Sequence, residues 1–381
     1  MSRAQTIPPF HVMDLLARAR QLESEGRSII HLEVGEPDFA TARPIVDAGI
    51  QALRQLKTHY TSAMGLTELR QAIADHYQRK FGLLIDPQRV VVTPGASGAL
   101  QLALSVLTDA GDNILLTDPG YPCNRNIAKV LGVDSIDVSV TAESQYQLDA
   151  SHIAEHWQDK TRAAMVASPS NPTGTIIESD AMRALIKAVA DVGGNLIVDE
   201  IYQGLVYDAE KYTALSLSDD VFVVNSFSKY FGMTGWRLGW MVVPEGYVDA
   251  VDRVAQNIFL APPTISQHAA LAAFEPETEE IMQRRVAIFK ERCDYLLPVL
   301  SEMGFKVTAK PQGAFYVYAD CSAITKDSFQ WTKDLLEKEG VAVTPGIDFG
   351  EFEANTHVRF AYTRSVDELK RAMCRISRFI K

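Results

Sequence analysis

Along the middle of the chain, short unbroken apolar runs alternate with longer stretches in which apolar residues return every three to four positions. Residues 89–93, 113–117, 162–167, 195–199, 221–224 and 238–243 form the first class. They are rich in β-branched side chains and too short for helices, so they are predicted strands. After the first of them, Leu100, Ala103, Leu104 and Leu107 fall on one side of a helix that starts near Ser97 and stops at Gly111. After the third, Met182, Leu185, Ile186 and Val189 mark a second helix, with Ser179 as its expected cap and Gly193-Gly194 as its stop. Strands separated by helices imply an α/β fold with a mostly parallel sheet covered on both faces.

The two flanks have a different rhythm. Residues 13–22 read as a helix. From about residue 276 a long helical stretch carries Ile281, Ile288, Phe289, Leu296 and Leu300, and Pro298 is expected to bend it. Residues 313–318 and 357–362 are strand-like, and a last helix begins at the capping box Ser365-Val-Asp-Glu368. The expected division is a large domain over residues 46–275 and a smaller α+β domain built from residues 1–45 plus 276–381.

Composition narrows the function classes. A chain of 381 residues with 47% hydrophobic content is long enough for two cores. Its net charge of −11 argues against non-specific nucleic-acid binding. The four cysteines, Cys123, Cys293, Cys321 and Cys374, lie far apart with no C-x-x-C pair, which fits a reduced, cytoplasmic chain better than a disulfide framework. The first residues lack the apolar core of a secretion signal, and no run approaches the ~20 apolar residues of a membrane span. Small-molecule chemistry is the expectation, with neither nucleic acid nor membrane as partner.

The segment Ser226-Phe-Ser-Lys-Tyr-Phe-Gly-Met-Thr-Gly-Trp-Arg-Leu-Gly-Trp240 carries that chemistry. Lys229 follows the buried run 221–224, two serines flank it, and Arg237 comes eight residues later in a Gly-rich loop. An amine that must reach an aldehyde, with hydroxyls and a guanidinium to hold a phosphate beside it, is what a Schiff-base enzyme requires. In a doubly wound sheet, ligands sit at the carboxyl ends of strands. Ser97, Asn171, Asp199 and Lys229 all end or follow predicted strands, so the fold can bring them together.

On these motifs, over residues 30 to 375, the chain resembles the pyridoxal-phosphate (PLP) aminotransferases of fold type I. The resemblance implies a seven-stranded, mostly parallel sheet in the large domain and Lys229 joined to the cofactor as an internal aldimine. It implies that Ala96, Ser97, Ser226, Ser228 and Arg237 hold the phosphate, and that Asp199 pairs with the pyridine nitrogen. Asn171 and Tyr202 would bond the ring 3′-oxygen, and Tyr121 would stack on the ring. Arg359 would clamp the substrate carboxylate, with Gly35 and Asn171 also beside the substrate. Tyr60 would reach the phosphate of a neighbouring subunit, making a homodimer with shared active sites. The substrates would be an α-amino acid and a 2-oxo acid.

Other readings compete. A PLP-dependent carbon–sulfur lyase would use the same residues. Gly95-Ala-Ser-Gly-Ala99 approaches a serine-hydrolase elbow, with Ser97 as nucleophile and His357 as base, but lacks the last glycine. His152-Ile-Ala-Glu-His156 fits an inverted zinc-protease pattern and reads as a chance match on a helix with two exposed histidines. A transcription regulator with an aminotransferase-like domain would need a DNA-binding head, for which there is no room before residue 30. Arg125, in Cys-Asn-Arg-Asn126, reads either as a pocket residue preferring acidic substrates or as an exposed helix arginine.

Overall fold

The computed structural model describes residues 3–207 and 209–381. Met1 and Ser2, the first residues of the expected smaller domain, lie outside the described residues. A seven-stranded sheet runs in the spatial order Val90–Thr93, Gly239–Val242, Val221–Ser226, Asn195–Asp199, Thr161–Ala167, Asn113–Asp118, Asp134–Ser139. All pairings are parallel except those of Gly239–Val242, which is antiparallel to both neighbours.

The unbroken apolar runs have a physical reason. Successive side chains leave a strand on opposite faces, and each face here meets its own core. Val90, Val92, Leu115, Ala164, Val166, Leu196, Val198, Val221 and Val223 enter one cluster. Their neighbours Val91, Ile114, Leu116, Ala163, Met165, Ile197, Phe222 and Val224 enter the other, against the helix Gly95–Leu107. Asp134–Ser139 was not among the predicted strands. It is one of the two edge strands and, unlike the buried edge Val90–Thr93, is largely exposed, so its sequence mixes in polar residues instead of forming an apolar run.

The flanking segments form a second structural layer. Tyr316–Asp320, His357–Ala361 and Thr344–Pro345 make an antiparallel sheet, and Ile30–His31 pairs with Val341–Ala342. The helices His11–Ser24, Pro276–Glu302, Ser328–Glu339 and Val366–Ile380 accompany them. The last begins at the expected capping box, with Ser365 and Glu368 bonded reciprocally. Pro298 lies inside a helix that continues to Glu302.

Two local expectations change. Ser179 is not a cap: the helix Ser179–Asp191 is preceded by Glu178 at the cap position, and the Ser179 hydroxyl donates to Glu210 at 2.7 Å. The helix begins one residue early, so the serine falls in its first turn and turns toward the neighbouring loop. His152 is only partly exposed, because it closes a capping box with Asp149 at the start of Ala150–His156. That bond explains the histidine without a metal.

Candidate active site

The parallel strands deliver their carboxyl ends to one edge of the large sheet. Asp199 and Ser226 end their strands, Tyr121 follows Asn113–Asp118, and Asn171 follows Thr161–Ala167. The reversed strand Gly239–Val242 brings its beginning to this same edge, with Gly239 in register with both Thr93 and Ser226. Arg237 therefore arrives where the helix Gly95–Leu107 begins with its unpaired N–H groups. Gly95 has φ +74°, and a Cβ there would come within 2.7 Å of Arg237 Nη2, so the glycine is what lets the guanidinium approach the helix start. Arg237 itself adopts φ 52° and donates from Nη1 to Thr234 O at 3.1 Å. The Ser226 hydroxyl donates to Leu238 O at 3.2 Å and accepts from Ser228 N at 3.0 Å. Two serines, a helix start and one guanidinium thus form a cradle for an anion.

Lys229 lies within this cluster, its Nζ donating to Gly35 O at 2.7 Å. Burial pushes its amine down to about 8; Glu36 and Asp199 oppose the shift, and the charges of Arg359 and Arg237 add to it. Burial likewise pushes Asp199 up to about 6, against the Ile201 N–H bonded to Oδ1 at 3.0 Å and the charge of Lys229. An amine and a carboxylate whose values approach each other in a cleft mark a functional site.

The opposite wall comes from the second layer. Arg359, on the strand His357–Ala361, is buried and donates from Nη1 to Asn171 Oδ1 at 2.8 Å, and from Nη2 to Glu33 O and to Thr344 Oγ1 at 3.2 Å. Its guanidinium lies 4.3 Å from the Tyr316 ring centroid and 4.8 Å from that of Phe349. Its Nε has no acceptor. Tyr202 and Tyr316 share a hydroxyl–hydroxyl bond of 2.8 Å. A Cβ on Gly35 would lie 1.8 Å from the Tyr316 hydroxyl, so any side chain there would force Tyr316 out of its place.

These walls enclose a cavity of about 240 Å³. Gly35, Ala96, Ser97, Tyr121, Asn171, Asp199, Tyr202, Ser226, Ser228, Lys229, Arg237 and Arg359 all line it. Tyr60 does not: it is 81% exposed on the surface of the chain. Arg125 fits neither of its expected roles. It is partly buried outside the cavity, with Nη2 donating to Phe349 O at 3.3 Å and Nε 3.5 Å from Asp137. The hydrolase pairing fails as well. His357 stacks on Tyr318 with its Nδ1 3.0 Å from Glu353 O, and does not line the cavity that Ser97 lines.

Tyr316, Cys123, Phe10, Val12 and Met13 were not assigned to the site from the sequence, yet line the cavity. Tyr316 sits in a run of aromatic and aliphatic residues, where nothing local says which side chain faces the site. Phe10 and Met13 are far from every motif, and only tertiary folding brings them there.

Residues 27–376 match the family model described as aminotransferase class I and II. The chain belongs to this aminotransferase family. A valine–pyruvate aminotransferase of Mycobacterium tuberculosis is 38% identical over 376 residues, covering 98% of this chain and 97% of that one. A (5-formylfuran-3-yl)methyl phosphate transaminase of Methanocaldococcus jannaschii is 38% identical over 374 residues, covering 97% and 96%. Among solved structures, an aminotransferase from Mycobacterium tuberculosis superposes with a TM-score of 0.97 at 37% identity, covering 100% and 98%. Aspartate aminotransferase from Thermus thermophilus with maleate gives 0.93 at 32%, covering 99% and 98%. The aminotransferase is thus a fold type I enzyme that transfers amino groups, and the relatives' names do not favour the carbon–sulfur lyase reading.

Proposed function

We propose that this aminotransferase uses PLP attached at Lys229 to move an amino group between an α-amino acid and a 2-oxo acid. The observation that carries this reading is the convergence of Lys229, Asp199, the serine–arginine cradle and Arg359 on one cavity, with the Lys229 amine pushed down to about 8.

The residues fit the cofactor. The space beside Gly95 that a side chain would fill adjoins Arg237, and Ser97 is exposed there at the helix start. PLP, when bound, supplies an aldehyde that exchanges amino groups and a ring that withdraws electrons. Ala96, Ser97, Ser226, Ser228 and Arg237 would hold its phosphate. Asp199, ionised above about pH 6, would keep the ring nitrogen protonated. Asn171 and Tyr202 would bond the ring oxygen, and Tyr121 would cover one ring face.

Arg359 binds the substrate carboxylate. Three protein acceptors hold its plane in place, and the guanidinium's five N–H donors exceed those three bonds, leaving donor capacity at Nη1 for a ligand. Asn171 links the two ends of the site by accepting from Arg359. Lys229, whose amine burial pushes down to about 8, is the residue that would move the proton at the substrate α-carbon.

Residues 46–275 form the cofactor-binding domain on this reading, and residues 1–45 with 276–381 the smaller one. The chain acts as a homodimer in which Tyr60 serves the partner's phosphate. Its exposure, with Leu53 at 53%, Leu56 at 75% and Leu260 at 51%, supports a covered surface. Four unpaired cysteines support a cytoplasmic setting, and no helix among the described residues is long and apolar enough to cross a membrane.

The test is a half-reaction. Protein loaded with PLP and given an amino acid alone should shift from the aldehyde to the amine absorbance, releasing a 2-oxo acid. Lys229→Ala should lose turnover; a variant turning over like the parent would refute the reading.

A further inference from the structure

Building on the aminotransfer reading, we propose that residues 348–352 form a latch between the large sheet and the substrate arginine, and that Asp118 is the positioning residue that holds the latch shut. Asp118 ends the strand Asn113–Asp118, at the same sheet edge as Asp199 and Ser226. It is buried, and its Oδ2 accepts from two consecutive backbone N–H groups, Glu351 at 2.9 Å and Phe352 at 3.2 Å. Bonds from N–H groups to a carboxylate are charge-assisted, so this grip exceeds a neutral turn contact. Gly350 makes room for it: a Cβ there would lie 1.7 Å from Asp118 Oδ1.

The preceding residue is gripped as well. Phe349 O accepts from Gly120 N at 2.8 Å and from Arg125 Nη2 at 3.3 Å. Arg125 in turn rests 3.5 Å from Asp137 on the edge strand Asp134–Ser139. Hydrogen bonds thus run in both directions between the sheet edge and this short segment. This gives Arg125 a place in the molecule that neither of its expected roles supplied.

The segment carries the position of the sheet to Arg359. The Phe349 side chain is buried, and its ring centroid lies 4.8 Å from the Arg359 guanidinium. Asn171, Glu33 and Thr344 accept from the edge of that guanidinium, while Phe349 and Tyr316 fill the space beside it. At the other end of the latch, Asp348 accepts from His11 N at 2.9 Å and Val12 N at 2.7 Å, which ties the helix His11–Ser24 to the same segment. Arg359 must meet the carboxylate of a substrate whose α-carbon meets Lys229, so the length of the substrate fixes the distance the protein has to keep between them. Asp118 is not among the residues lining the cavity. It touches no substrate and acts through Phe349 and Arg359.

The test is a double-mutant cycle on the PLP-loaded enzyme, using the half-reaction with the fastest of alanine, valine, leucine, phenylalanine, aspartate and glutamate. Asp118→Asn keeps the shape but weakens the grip. It should raise KM about tenfold, keep kcat within about threefold of the parent and leave PLP affinity unchanged. In an Arg359→Lys background the same replacement should change kcat/KM by less than about twofold, because the group it positions is already gone. Gly350→Ala drives a Cβ into the Asp118 carboxylate and should reproduce both results; it decides the matter if Asp118→Asn does not fold. Equal losses in the two backgrounds, or a loss of PLP affinity matching the loss of kcat/KM, would mark a merely structural role and overturn the proposal. Parent-like kinetics in both variants would overturn it too. A parent enzyme that answers none of these donors would overturn the aminotransfer reading instead.

Discussion

Replacing Asp199 by Asn should make the cofactor-free protein more stable near neutrality and the loaded enzyme much less active. The Asp199 carboxyl is 7% exposed, and burial raises it from 3.8 to about 6. A carboxyl raised in the folded state favours the protonated form there. Its contribution to stability is therefore complete below the unfolded value near 3.8 and is lost as pH climbs through about 6. A shift of about two units corresponds to about 3 kcal/mol. Asparagine carries no charge at any pH, and its Oδ1 can still accept the Ile201 N–H. Urea denaturation of parent and variant across a pH series should show the variant's advantage growing by about 3 kcal/mol between roughly pH 4 and 7. Comparing across pH cancels packing differences, which do not titrate. Turnover of the loaded variant should fall by ~1000-fold, because no carboxylate faces the ring nitrogen. A stability difference that stays flat over this range, or activity within about tenfold of the parent, would refute the reasoning.

Arg359→Lys keeps the charge but loses the planar fork that Asn171, Glu33 and Thr344 hold. The kcat/KM for any amino acid should fall roughly 100-fold, about 3 kcal/mol, mostly through KM; a change of less than about threefold would remove Arg359 from the carboxylate site. Mixing inactive Lys229→Ala protein with an inactive Tyr60 variant should restore part of the activity, because a mixed dimer would contain one intact site; no recovery, with mixed dimers verified by mass, would count against shared sites.

The chain's linear order already determined six of the seven strands of the large sheet and one side of the site. Apolar runs of strand length, separated by helical stretches, require a sheet buried on both faces, and the two opposed cores meet that requirement. Lys229, Asp199, Asn171 and Ser97 were legible because the carboxyl ends of parallel strands share one edge, so their positions follow from connectivity. Arg359 and Tyr202 were assigned by resemblance rather than by pattern, since an arginine in a strand or a tyrosine after one has no distinctive local signal. Only the tertiary structure decided what surrounds them. It turned Arg125 toward Asp137, set Tyr316 against Gly35, left Tyr60 on the surface, and closed the cavity with Phe10–Met13 under the hold of Asp348. The physical reason is separation along the chain. Periodicity reports which face of an element is buried, while the partner it meets, more than 300 residues away for Asp348 and Val12, depends on how whole layers pack.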